Sequence, residues 1–166
     1  TTFVYNRDDL LIEQTDPLGH TTTYGYDDNH NRTIVTDAGG HTTAYAYDAN
    51  NRVTHITDPL GHTVEYRYDG NGNTIAATVA RGTTTTFTFD AGDNLTSQAQ
   101  PVTATSSIVT SFGYDPAGHR TRFTDGRGNA FWTTYNAWGL AESQVEPATT
   151  ATPTPADRTW TLGYDA

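Results

Sequence analysis

The sequence predicts an all-β chain made of tandem β-hairpins. Three observations carry this. An aromatic–acidic pair returns at a fixed interval, short runs of strand formers flank it, and clusters of Asp, Asn and Gly separate the runs. The pairs are Tyr5-Asn6, Tyr26-Asp27, Tyr47-Asp48, Tyr68-Asp69, Phe89-Asp90, Tyr114-Asp115, Tyr135-Asn136 and Tyr164-Asp165. The first five are spaced by 21 residues, and the next spacings are 25, 21 and 29.

Other positions keep the same register. Asp16, Asp37, Asp58 and Asp125 lie eleven residues after their aromatic, and Gly19, Gly40, Gly61, Gly82 and Gly128 lie fourteen after. A second aromatic stands two residues before the pair at Phe3, Tyr24, Tyr45, Tyr66, Phe87 and Phe112.

One unit shows what each part does. Thr22 to Tyr26 is rich in strand formers, and Tyr24 and Tyr26, two apart, share one face of the sheet. Asp27 to Asn31 is a turn, because Asp and Asn tolerate left-handed backbone and bond their own main chain. Arg32 to Thr36 is a second strand, and Asp37 to Gly40 closes it with a second turn. In two units that second turn is Asp-Pro-Leu-Gly, Asp16 to Gly19 and Asp58 to Gly61, which suits a type I turn. Each unit is thus one hairpin, and helix content is expected near zero. Side by side, the hairpins are expected to stack each paired aromatic above its equivalent, so that stability comes from neighbours.

The array is expected to span residues 1–166 as about seven to eight units, cut from a longer array at both ends. The longer gaps are insertions. One, near 98–110, reads as a loop or lengthened hairpin; the other, near 146–157, carries Pro147, Pro153 and Pro155 and reads as an exposed loop.

Composition narrows the function. Nineteen acidic residues oppose nine basic ones, a net charge of -10, so nucleic acid and anionic membrane surfaces are not expected partners. The basic residues are all Arg, spread without a cluster; any basic patch must be gathered by the fold. Hydrophobic residues are only 34%, yet 11% are aromatic, which separates the chain from disordered ones. With no Cys, disulfides and thiolate metal sites are excluded. Thr1 to Leu10 has no signal-peptide pattern, and no apolar run is long enough for a membrane span.

The run Tyr45-Ala46-Tyr47-Asp48-Ala49-Asn50-Asn51-Arg52, and Tyr114-Asp115-Pro116-Ala117-Gly118-His119-Arg120, resemble the YD repeat of the Rhs family. The resemblance covers essentially the whole chain. It implies a continuous antiparallel sheet that spirals into a hollow β-shell. Its implied role is a non-catalytic wall segment, secreted or on a bacterial surface, that encloses and helps deliver a C-terminal toxin or effector. The implied partners are neighbouring repeats of the parent chain and the enclosed domain. An alternative is a surface module for adhesion or carbohydrate binding. Two departures stand out. The self-cleaving motif of the family is not carried over, since Asp-Pro-Leu-Gly here runs on into His20 and His62. The consensus Gly after the pair is kept at Gly72, Gly118 and Gly139 but replaced by Asp9, His30, Asn51 and Asp93.

The expected structural rows follow. They are the aromatics Tyr5, Tyr26, Tyr47, Tyr68, Phe89, Tyr114, Tyr135 and Tyr164; the aspartates Asp27, Asp48, Asp69, Asp90 and Asp115; and the turn positions Asp16, Gly19, Asp37, Gly40, Asp58, Gly61, Gly82, Asp125 and Gly128. His20, His41 and His62 recur at one repeat spacing, and two strand spacings put them about 10 Å apart, too far for one shared ion. Asp69 to Asn73 opens like a calcium loop but lacks its later ligands. Asp16 and Asp58 belong to separate turns and make no acid–base pair. No catalytic, metal or cofactor site is expected. Trp132 and Trp138 are the candidates for stacking on a sugar, although exposed rings on a sheet suit ordinary cross-strand packing as well.

Overall fold

The computed structural model describes residues 1–164. Asp165, the acidic partner of Tyr164, lies outside the described residues. Fifteen antiparallel strands follow one another in a single open sheet, in chain order throughout. They are β1 (Thr2–Tyr5), β2 (Leu11–Thr15), β3 (Thr21–Tyr26), β4 (Arg32–Thr36), β5 (Thr42–Tyr47), β6 (Val53–Thr57), β7 (Thr63–Tyr68) and β8 (Thr74–Thr78). Then come β9 (Thr84–Phe89), β10 (Leu95–Pro101), β11 (Ser107–Tyr114), β12 (Arg120–Thr124), β13 (Ala130–Tyr135), β14 (Ala141–Val145) and β15 (Thr159–Thr161). The only helix among the described residues is a 3-10 turn, Pro155–Arg158. None is long and apolar enough to cross a membrane.

Two compact units divide the chain. One is Thr1–Arg67 with Ala76–Thr83; the other is Tyr68–Ile75 with Thr84–Ala166. In the first, the aromatic face carries Tyr24, Val35 and Thr43 in register across β3, β4 and β5, then Tyr45, Ile56 and Val64 across β5, β6 and β7. The opposite face is polar. There Thr15–Thr21, Thr36–Thr42 and Thr57–Thr63 bond hydroxyl to hydroxyl at 2.9, 3.1 and 3.0 Å. Ile34 is an apolar exception on that side; it packs over Gly25, its register partner, where a Cβ would lie 2.4 Å from the Ile34 Cγ2.

The second unit repeats the plan with a denser aromatic face. Phe112, Phe123 and Phe131 lie in register on β11, β12 and β13, with ring centres 5.8 and 5.7 Å apart. Between β10 and β11 the hairpin is lengthened, and Val102 N–H bonds the Ser106 carbonyl at its tip. Between β14 and β15 the chain leaves the sheet for a Pro-rich excursion that ends in the 3-10 turn.

No described side chain is fully buried. Among the described residues neither unit has a core of buried side chains. This is unusual, since a sheet ordinarily buries one face against a second layer. Order must then come from contacts within the sheet: backbone pairing, cross-strand side chains and the turns.

Candidate functional site

Both ends of the hairpins use the same five-residue device. At the first turn of the second repeat, His30 N–H bonds the Asp27 carbonyl at 3.0 Å and Asp27 N–H bonds the Asn31 carbonyl at 3.0 Å. The Asp27 carboxylate fills the loop. Its Oδ1 accepts from Asn29 and Asn31 N–H at 3.0 and 2.8 Å, and its Oδ2 from the Asn31 amide at 3.0 Å. Asp16, Asp37, Asp48, Asp58, Asp69, Asp90, Asp115 and Asp125 repeat the same contacts. The residue four on supplies the side-chain donor: His20, His41, His62 and His119 through Nδ1, Arg52 through Nε, and Asn73, Asn94 and Asn129 through the amide.

Hydrogen bonds to the ionised form hold all nine carboxyls below their ordinary value. For Asp16, Asp37, Asp48 and Asp90 the backbone N–H four residues on has the largest effect. For Asp27, Asp58, Asp69, Asp115 and Asp125 the side chain at that position does. The histidine row is therefore a set of separate His–Asp pairs. Among the described residues no three His, Asp or Glu side chains converge on a possible metal position.

The fourth turn residue has positive φ in every such turn. Glycine holds it at Gly19, Gly40, Gly61, Gly72, Gly82, Gly118, Gly128 and Gly139, but Asp9, His30, Asn51 and Asp93 sit there at φ 58, 65, 60 and 60. Two of these strained residues tie their turn to the preceding one. Asn51 accepts the Asn31 amide at 2.7 Å, and Asp93 accepts the Asn73 amide at 2.7 Å and the Asn71 amide at 2.8 Å. At Gly139 contact adds to the positive φ of 74: a Cβ would lie 2.7 Å from His119, whose ring stacks on Tyr135 at 4.9 Å.

The paired tyrosines work differently from the stacking expected of them. Successive members lie two strands apart, so about 10 Å separates them and their rings do not stack on one another. Five of them instead reach back with the hydroxyl. Tyr26 donates to the Leu11 carbonyl and Tyr47 to the Arg32 carbonyl, both at 2.9 Å. Tyr114 donates to Leu95 and Tyr135 to Arg120 at 3.0 Å, and Tyr164 to Ala141 at 2.7 Å. Every acceptor is the first residue of the second strand of the preceding hairpin, where the ladder is bulged: Leu11, Arg32, Leu95, Arg120 and Ala141 each flank a register shift. A bulge disrupts its ladder locally. The tyrosine of the next repeat bonds the carbonyl at that point.

Trp132 and Trp138 are not neighbours. Trp132 lies on β13, on the face opposite Phe131 and Tyr135, and is 46% exposed; Trp138 stands at a turn tip and is 85% exposed. Trp132 lies four positions, about 13 Å along the strand, before the first residue of that turn, Asn136.

The RHS Repeat family model matches residues 5–42, 34–63, 47–84 and 68–105, which together cover residues 5–105. The chain belongs to the RHS repeat family. An RHS repeat here is one bulged hairpin with an Asp-filled turn and a tyrosine hydroxyl that fastens it to the repeat before. None of the curated proteins compared with the chain matches it. Solved structures do. A chain of the Photorhabdus luminescens Tc holotoxin pore aligns with a TM-score of 0.71 at 14% identity, over 90% of this chain and 9% of its own length. A chain of the TcdB2–TccC3–Cdc42 crystal structure aligns at 0.65 and 16%, over 76% and 7%; one of TcdB2–TccC3–TEV aligns at 0.67 and 16%, over 88% and 8%. This chain spans about a tenth of their length or less, and at such identity the likeness is one of fold.

Proposed function

We propose that this chain is a structural, non-catalytic segment of a secreted bacterial RHS shell whose parent protein encloses and helps deliver a C-terminal toxin or effector. The observation that carries the reading is a fifteen-stranded sheet, sequential in chain order, in which no described side chain is buried. Such a sheet has the build of a wall and not of a self-sufficient globule. The fold it shares with Tc toxin structures supports the same role. The seven to eight repeats would then be one stretch of a longer array.

The test is protease protection of the parent protein. In the proposed arrangement its C-terminal domain resists a protease that enters only on unfolding, and it appears as a digestible piece after denaturation. Digestion of that domain at the same rate with the array folded or unfolded would refute encapsulation.

A further inference from the structure

Three successive first turns carry an asparagine at their third residue: Asn29 before His30, Asn50 before Asn51 and Asn71 before Gly72. The three asparagines are otherwise alike. Each is exposed, and its N–H bonds the filling carboxylate at 3.0, 2.9 and 3.0 Å. The residue that follows differs. His30 and Asn51 bring a side chain to positive φ, and their N–H groups are held on the Asp27 and Asp48 carbonyls at 3.0 Å. Gly72 has no side chain and a φ of 98, and its N–H lies at a looser 3.3 Å from the Asp69 carbonyl.

An Asn amide followed by glycine is open to attack from within the chain. The next main-chain nitrogen must swing onto the Asn Cγ; a following side chain obstructs that rotation and glycine does not. At Asn71 the Gly72 nitrogen, losing its proton to solvent base, bonds Cγ. The Cγ–Nδ2 bond breaks, ammonia leaves and a succinimide ring closes. Water opens the ring: scission between nitrogen and Cγ leaves aspartate, and scission at the main-chain carbonyl leaves isoaspartate. The adjoining Asp69–Gly70 pair does not compete. Asp69 Oδ1 accepts from the Asn71 and Asn73 N–H groups at 3.0 and 2.9 Å, and Oδ2 from the Asn73 amide at 3.0 Å. These bonds hold it as an ionised carboxylate, a poor target for a nucleophile.

The amide at Asn71 has a partner in the next repeat. Its Nδ2 donates to Asp93 Oδ1 at 2.8 Å, and the Asn73 amide donates to the same oxygen at 2.7 Å. Asp93 sits at φ 60, a backbone conformation uncommon for a residue with a side chain, and these two bonds hold it there. We propose that Asn71 is a site of spontaneous deamidation, and that the reaction unfastens the Asp69 turn from the Asp93 turn. Aspartate at this position sets a carboxylate against the Asp93 carboxylate where a donor stood, and like charges at that range repel. Isoaspartate also lengthens the main chain of the turn.

The test is peptide mapping by mass spectrometry of the full 166-residue chain, aged while folded at mildly alkaline pH. Conversion at Asn71 is expected about tenfold or more ahead of Asn29 and Asn50, with aspartate and isoaspartate both formed. The converted fraction, separated by charge, should melt below the parent, and Asn71→Asp made directly should do the same. Adding Asp93→Asn to Asn71→Asp exchanges donor and acceptor and should recover most of the loss, which a defect confined to the first turn would not allow. Conversion of Asn29 or Asn50 at the rate of Asn71 would overturn the site. An Asn71→Asp chain that melts with the parent, or a double variant without recovery, would overturn the release. The mapping is made on the unaltered chain, so it decides the site even if a variant unfolds.

Discussion

At the scale of single residues, the aspartates explain why the turns are so uniform. Asp27 and Asp28 are adjacent, share a turn and carry the same charge, but only Asp27 accepts backbone and side-chain hydrogen bonds inside the loop. Asp27→Ala should lower the melting temperature, and Asp28→Ala should leave it close to the parent value. Equal shifts would mean that net charge, not loop filling, is what matters. Val79 offers the converse. Its turn has the same backbone bonds, Val79 N–H to Thr83 and Gly82 N–H to Val79, with no carboxylate. Val79→Asp should therefore raise the melting temperature in the same assay. The pH response follows from the lowered carboxyls. A folded-state pKa below the ordinary 3.8 means that the folded chain binds those protons less readily than the unfolded one. The stabilisation is then complete above the unfolded value and is lost as pH falls through the folded values. Melting curves should change little from neutrality to about pH 5 and shift down below about pH 4. A decline that begins well above pH 5 would show that the lowered carboxyls are not its cause.

At the scale of the hairpin, the tyrosine hydroxyl is the link between repeats. Tyr26→Phe keeps the ring and removes the 2.9 Å bond to the Leu11 carbonyl, so it should cost about 0.5–1.5 kcal/mol in denaturant unfolding. A neutral result would show that the ring alone fastens the repeat. Phe89 already lacks the hydroxyl, and Phe89→Tyr is the matching gain. Much of this element was legible in the sequence. The period, the strand Arg32 to Thr36, the turn Asp27 to Asn31 and the Tyr24/Tyr26 face all follow from spacing and residue type. The job of the tyrosine was not. Its partner is a backbone carbonyl 15 residues earlier for Tyr26 and 19 earlier for Tyr114, and it is presented by a bulge that no side-chain pattern marks. The shared logic of the two turns was half visible. Asp and Gly stood out at each, but the donor four residues on changes between His, Asn and Arg, so the position shows no fixed letter.

At the scale of the whole molecule, a sheet without a core has consequences that a globule avoids. Each strand is held by its two neighbours, and the outermost strands β1 and β15 each have one. An edge strand presents unpaired N–H and C=O groups, and natural proteins blunt such edges with charge, Pro or a covering segment. β1 has none of these within Thr2–Tyr5: Phe3, Val4 and Tyr5 are 52%, 45% and 55% exposed. Net charge of -10 opposes association, but salt screens exposed charges beyond about 8 Å at physiological ionic strength, whereas edge pairing acts at contact. The isolated chain should therefore self-associate with rising concentration in sedimentation velocity, more so as salt is added. Lys at both Thr2 and Val4 places two charges on the exposed edge and should return it to monomer. Since β1 is the outermost strand, these changes leave the packing of β3 to β15 in place and separate association from stability. If the double variant associates as the parent does, β1 is not the contact. The coreless build would then hold, with β15 or an open face as the surface that meets the next chain.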